Sequence, residues 1–114
     1  MEAGPLQRGG VKQGDVYISE PSALTGAREL YLVVSSDEYN NAEGSTVVVV
    51  EIETGTRFRA MPFDTAVETP FGVALADRLL WLPRVHVGER FDVLDPELTR
   101  RVVEAGCRVL RGVL

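Results

Sequence analysis

Two runs of aliphatic and β-branched residues constrain this chain more than anything else in it. One is Tyr31, Leu32, Val33 and Val34. The other covers 46–52 and contains four consecutive valines. The first is uniformly apolar, as a strand buried on both faces should be. Between them Ser35-Ser36-Asp37-Glu38-Tyr39-Asn40-Asn41 reads as a cap and one short helical turn, with the side-chain oxygen of Ser36 or Asp37 accepting free N–H groups. Two β-branched runs joined by a capped turn predict adjacent strands of one small sheet. Arg28 enters the first strand, and Glu53 and Thr54 leave the second. If the strands are neighbours, these polar ends meet at one rim.

The remaining elements fall in order around that pair. Residues 14–19 (GDVYIS) read as a short strand opened by a turn, and 20–27 as a loop. Gly44 resets the chain before the valine run, and 54–56 make a turn after it. Arg57-Phe58-Arg59-Ala60-Met61 alternates charge and apolar side chains, which predicts a further strand or extended arm. Residues 64–70 read as irregular. Gly72-Val73-Ala74-Leu75-Ala76-Asp77 is a strand of small residues, 78–82 is the next strand, and Pro83 ends it. Residues 84–94 hold a short strand. Asp95 as N-cap and Pro96 at the first helical position open the last element.

On that helix Leu98, Val102, Ala105 and Val109 form one stripe, and Val103, Cys107 and Leu110 form a second beside it. Glu97–Arg101 and Glu104–Arg108 have the stabilising four-residue spacing. The apolar arc covers about half the circumference, wider than the ~100° that one core needs. Either the helix buries two sides, one of them against a partner chain, or a small barrel wraps it more fully. By pattern the fold is mostly β (α+β): a small antiparallel β-barrel with a C-terminal helix.

The chain has 114 residues, enough for a single domain with one core. The expected division is a flexible leader at 1–10 and a folded domain at 11–114. No apolar run approaches the ~20 residues of a membrane span, and the N-terminus carries no secretory signal. The single cysteine, Cys107, excludes an internal disulfide and a multi-cysteine metal site; a reduced, cytoplasmic protein follows. The net charge of −5 argues against a general nucleic-acid binder, though not against a local basic patch. All the positive charge except Lys12 is arginine, which suits bidentate phosphate contact.

Gly14-Asp15-Val16-Tyr17, Leu32-Val33-Val34-Ser35 with Tyr39-Asn40-Asn41, the valine run, and Gly72-Val73-Ala74-Leu75-Ala76-Asp77 followed by a strand and a terminal helix together resemble the MazF/PemK/CcdB toxin superfamily. The resemblance covers roughly residues 11–114. It implies an SH3-like barrel that works as a homodimer and is the toxin of a toxin–antitoxin pair. MazF-type members cut single-stranded RNA without a metal or other cofactor. CcdB-type members share the fold and bind DNA gyrase instead. The cognate antitoxin would be a short protein with a flexible tail. Such a tail is ordinarily acidic; the acidity of this chain points instead to a hydrophobic or locally basic interface.

The family's nuclease site uses an arginine closing the first loop, usually followed by proline, and a threonine or serine ending the long second strand. Arg28 matches the arginine, and Glu29 follows it. The first loop is shorter than usual. The hydroxyl position falls on Glu53, with Thr54 next, and Arg78 stands where the family often has glutamine. In metal-free cleavage the 2′-hydroxyl of the RNA is the nucleophile, so the site needs a base and a cation. Arg28 is the candidate cation, Glu53 the candidate base and Thr54 a hydrogen-bond donor. The other reading makes Arg28 and Glu53 an ordinary rim ion pair. Arg57 and Arg59, with Arg78 or Arg84, form either a substrate-binding groove or a charged, solvated strand edge. His86 reads as a strand surface residue, Cys107 as packing, and Trp81 as core or dimer interface. Phe58, Phe63 and Phe71 read as packing before base stacking.

Overall fold

The computed structural model describes residues 10–19, 28–42, 46–54 and 65–111. The leader, apart from residue 10, and the arm at 57–61 lie outside them. The element order is β1 (Asp15–Ile18), β2 (Leu30–Val33), α1 (Asp37–Asn41), β3 (Thr46–Glu53), β4 (Ala66–Thr69), β5 (Gly72–Pro83), a 3-10 turn (Arg84–His86), β6 (Glu89–Val93) and α2 (Pro96–Arg111). The strands make one antiparallel sheet in the order β4-β5-β3-β2-β1-β6, curled into a half-barrel with α2 as its C-terminal helix.

The two apolar runs are neighbours, as expected: Leu30 pairs with Ile52 and Val33 with Val49. Ser36 caps α1, its Oγ accepting from the Tyr39 N–H at 3.1 Å. The alternation along β3 feeds two cores. Val50 and Ile52 join Val16, Leu32, Ala74, Ala76, Val67, Leu94, Val102 and Ala105 on the helix side. Val47 and Val49 pack with Val11, Tyr17 and Val33 on the other face.

Two expectations about the strands are corrected. Residues 66–69 are a strand, not irregular; only pairing with 72–75 of β5 makes them one. The strands expected at 72–77 and 78–82 are one strand with a bulge. Val50 pairs with Leu79 but Glu51 with Leu75, so Ala76, Asp77 and Arg78 are extra residues on β5. The charged Asp77 and Arg78 mark this bulge rather than a chain reversal. Gly72 opens β5 at φ 136°, in space where a Cβ would lie 2.5 Å from the Glu53 carbonyl oxygen. The turn between β4 and β5 reaches across the open side of the sheet, where Phe71 and Phe91 meet edge to face at 5.8 Å.

At the start of α2, Asp95 Oδ2 accepts from the Glu97 N–H at 2.9 Å and the Leu98 N–H at 3.3 Å. Val102 and Ala105 are buried against the sheet, with Leu98 packed beside them. The second stripe is not covered within the chain: Leu110 is 67% exposed and Cys107 is exposed. Cys107 is therefore not a packing residue of this domain. Beside that stripe stand Leu79 and Trp81, the latter 54% exposed, so Trp81 is not core. Arg100, rather than Arg101, takes Glu97, at 2.5 Å, and also pairs with Glu104 at 2.6 Å.

Candidate functional site

The register of β2 against β3 builds the site. Leu30 faces Ile52 and Tyr31 faces Glu51. Continued by one and two residues, the same register sets Glu29 opposite Glu53 and Arg28 opposite Thr54. On its other side β2 still holds β1 here. The Ser19 N–H donates to the Glu29 carbonyl at 2.8 Å, and the Glu29 N–H donates to Ser19 Oγ at 2.9 Å. Arg28 is thus the first residue beyond the ladder, and Thr54 the first beyond β3. Both are exposed, and Glu53, the last residue of β3, is half-buried.

The three candidate catalytic residues therefore come to one rim. Strict alternation would set Arg28 and Thr54 on the face opposite Glu53, but both stand past the paired strand ends, where alternation no longer fixes their side. Among the described residues no ion pair joins Arg28 to Glu53. Arg78 turns to Glu51 instead, Nη1 to Oε1 at 3.4 Å, with the arginine side chain half exposed. An exposed pair of that length contributes at most about 1 kcal/mol, so Arg78 is held weakly. Arg57 and Arg59 lie outside the described residues. Arg84 donates to the Asn40 carbonyl and so belongs to the α1 end of the sheet. His86 is exposed, but in the 3-10 turn rather than on a strand. Among the described residues no group of three or more His, Cys, Asp or Glu could hold a metal ion.

Period-two alternation puts Glu29, Tyr31, Glu51 and Glu53 on one face. Sequence reasoning passed over the first three as site residues. Tyr31 Oη donates to Glu29 Oε1 at 2.9 Å. Burial, then the hydrogen bond and charge of Glu29, then the charge of Glu51, push the Tyr31 hydroxyl up to about 12, so it stays protonated near neutral pH. Tyr17 is its register partner on β1, also raised to about 12, by burial first and then by the charge of Asp15. Asp15 is itself 2% exposed and held by the Lys12 N–H at 2.9 Å, Tyr17 Oη at 3.4 Å and Arg90 at 3.5 Å. Only the register reveals the row Tyr17–Tyr31–Glu51 across three strands, because no local pattern joins residues so far apart in sequence.

Comparison with known proteins gives the same outline. An endoribonuclease in complex with its cognate antitoxin from a mycobacterial species superposes with a TM-score of 0.73 at 20% identity, covering 91% of this chain and 98% of that one. An endoribonuclease from a mycobacterial species gives 0.69 at 22% identity, covering 89% and 91%. A MazE–MazF complex from Deinococcus radiodurans gives 0.65 at 22% identity, covering 90% and 95%. Likeness at this identity concerns the fold. No curated protein matches the chain by sequence. A family model described as "PemK-like, MazF-like toxin of type II toxin-antitoxin system" matches residues 12–110.

Proposed function

Because that match spans nearly the whole chain, the protein belongs to the PemK-like, MazF-like toxins of type II toxin–antitoxin systems, and on that footing we propose that it is a metal-independent endoribonuclease acting on single-stranded RNA. The observation that carries the reading is the β2–β3 register, which brings Arg28, Glu53 and Thr54 to one rim. The Glu53 carboxylate takes the proton of the 2′-hydroxyl, and the freed oxygen attacks the adjacent phosphorus. Arg28 presents its planar fork to the phosphoryl oxygens as charge builds on them, and the Thr54 hydroxyl donates a further hydrogen bond. The 5′-oxygen leaves with a proton from water, and the cut strand ends in a 2′,3′-cyclic phosphate. Arg78, with Arg57 and Arg59, guides the rest of the strand. The family match and the neighbours above give no support to the gyrase-binding alternative.

The test is incubation of antitoxin-free protein with a long unstructured RNA in excess chelator. Discrete fragments with cyclic phosphate ends are expected. Intact RNA from folded protein would end the nuclease reading.

The working form is a homodimer in the cytoplasm, restrained by a cognate antitoxin. No helix among the described residues is long and apolar enough to cross a membrane. The uncovered stripe of α2, with Trp81, is the dimer face. Val34, Val48, Leu79, Trp81, Val103 and Leu110 surround a notch of about 190 Å³ there, almost wholly apolar. A Trp81→Glu protein should sediment as a monomer at concentrations where the parent is a dimer; a persistent dimer would place the interface elsewhere. With a net charge of −5 on the toxin, the antitoxin segment that covers it is apolar or locally basic.

A further inference from the structure

The sheet face opposite α2 holds a recess that the catalytic scheme does not use. Its volume is about 380 Å³, within the ~300–1,000 Å³ usual for small-ligand sites. Tyr17, Tyr31, Val49 and Leu82 are its sheet residues, one from each of four neighbouring strands in the order β1, β2, β3, β5. Ile18 and Ser19 line it from the end of β1, and Val85, His86, Val87 and Gly88 from the turn before β6. The turn comes in so closely that a Cβ on Gly88 would collide with the Ile18 carbonyl, so the recess depends on a glycine at that point.

Three features describe its occupant. The lining is mainly apolar and carries three rings, Tyr17, Tyr31 and His86, which suits a flat aromatic ligand. On the lining itself, Tyr31 already gives its proton to Glu29, which leaves its oxygen as an acceptor facing an incoming edge. The recess also adjoins the rim. Ser19 lines it and is bonded to the Glu29 backbone, and Arg28 is the next residue.

We propose that this recess is a nucleobase subsite, taking one unpaired base of the RNA beside the scissile phosphate, stacked against Tyr31 and His86 with an amino-bearing edge toward the Tyr31 oxygen. The proposal rests on the nuclease reading for its substrate. It adds that cleavage favours adenine, cytosine or guanine over uracil at one position next to the cut. An unstacked base on aromatic side chains, read by its edge, is how proteins recognise single-stranded RNA.

The test separates binding from cleavage. The four nucleoside 5′-monophosphates are titrated into the full chain and followed by amide NMR shifts. An RNA oligonucleotide made uncleavable by 2′-deoxy substitution is titrated in parallel, and a long RNA is digested to map cut sites. The subsite predicts shifts at Val87 and Gly88 with the amino-bearing nucleotides and weaker shifts with uridine monophosphate. Tyr31→Leu should weaken oligonucleotide binding about tenfold and flatten the base preference at one position. Tyr31→Phe keeps the ring and removes the hydroxyl, so it should keep affinity and lose discrimination. His86→Ala, at an exposed position, tests stacking without loss of the fold. Nucleotide binding at these amides without any RNA cleavage would support the subsite and overturn the nuclease. Arg28-dependent cleavage with cut sites and affinity unchanged by Tyr31→Leu and His86→Ala would overturn the subsite and leave the nuclease standing.

Discussion

Replacing Arg28 by alanine lowers the rate of RNA cleavage by about 10²–10³ while leaving the fold intact. The magnitude is that of removing one preorganised donor from the group on which negative charge develops. The fold is spared because Arg28 is exposed, stands beyond the β1–β2 ladder and, among the described residues, makes no ion pair with Glu53. Surface substitutions of that kind change stability by about 0.5 kcal/mol or less. Arg28→Lys should recover only part of the rate, since an ammonium supplies charge without the fork that matches two phosphoryl oxygens. Single-turnover cleavage measured beside a thermal melt decides the matter. An unchanged rate in Arg28→Ala would move the cation's role to Arg78 or to the arginines at 57 and 59.

Gly72→Ala destabilises the protein by about 3 kcal/mol, which for a domain of this size lowers the melting temperature by about 10–20 °C. Two costs combine. At φ 136° an L side chain is strained by roughly 1–3 kcal/mol. The new methyl would also sit 2.5 Å from the Glu53 carbonyl oxygen and 3.0 Å from Ile52 Cγ2, and the first of these is backbone that must move. That backbone carries the candidate base, so cleavage should fall further than the folded fraction alone explains. Gly106→Ala is the control. A Cβ there meets its nearest neighbours at 3.7 Å and 3.8 Å, ordinary contact distances inside a helix. It should be neutral or gain up to about 1 kcal/mol. Denaturant titration of the three proteins checks both signs. Equal stability of Gly72→Ala and the parent would mean that the β4–β5 turn relaxes around the methyl group.

The sequence was most legible where local chemistry settles the structure alone. Asp95 and Pro96 announce α2, Ser36 caps α1, and the valine run reads as a strand in any context. It was least legible where a distant partner decides. Ala66–Thr69 is too short and too polar to read as a strand without β5 beside it. Asp77 and Arg78 look like the end of one strand because a bulge and a break use the same residues. Placing two strands side by side gave the shared rim of Arg28, Glu53 and Thr54, while their candidate roles came from the family resemblance. Tyr31 could not be named from sequence, because its setting comes from Tyr17 on one side and Glu51 on the other, and the register alone brings those together. The sequence left Trp81 between core and dimer interface and read Cys107 as packing for a related reason. Apolar periodicity marks a face as apolar without saying what covers it, and within this chain the second stripe of α2 and Trp81 stay open.

The valine run of β3 has a consequence for how this protein can change over generations. Val47 and Val49 are buried in one core, Val50 and Ile52 in the other. Each full burial contributes about 1.5–3 kcal/mol. A strand that serves two cores has buried positions on both faces, so an altered codon at 47, 49, 50 or 52 is tested against packing. β6 is the reverse, exposed at all five positions and, among the described residues, an outer strand of the sheet. Room for new surface chemistry thus lies at the margins of the sheet, where recognition can diverge between lineages while the central strand holds the architecture still.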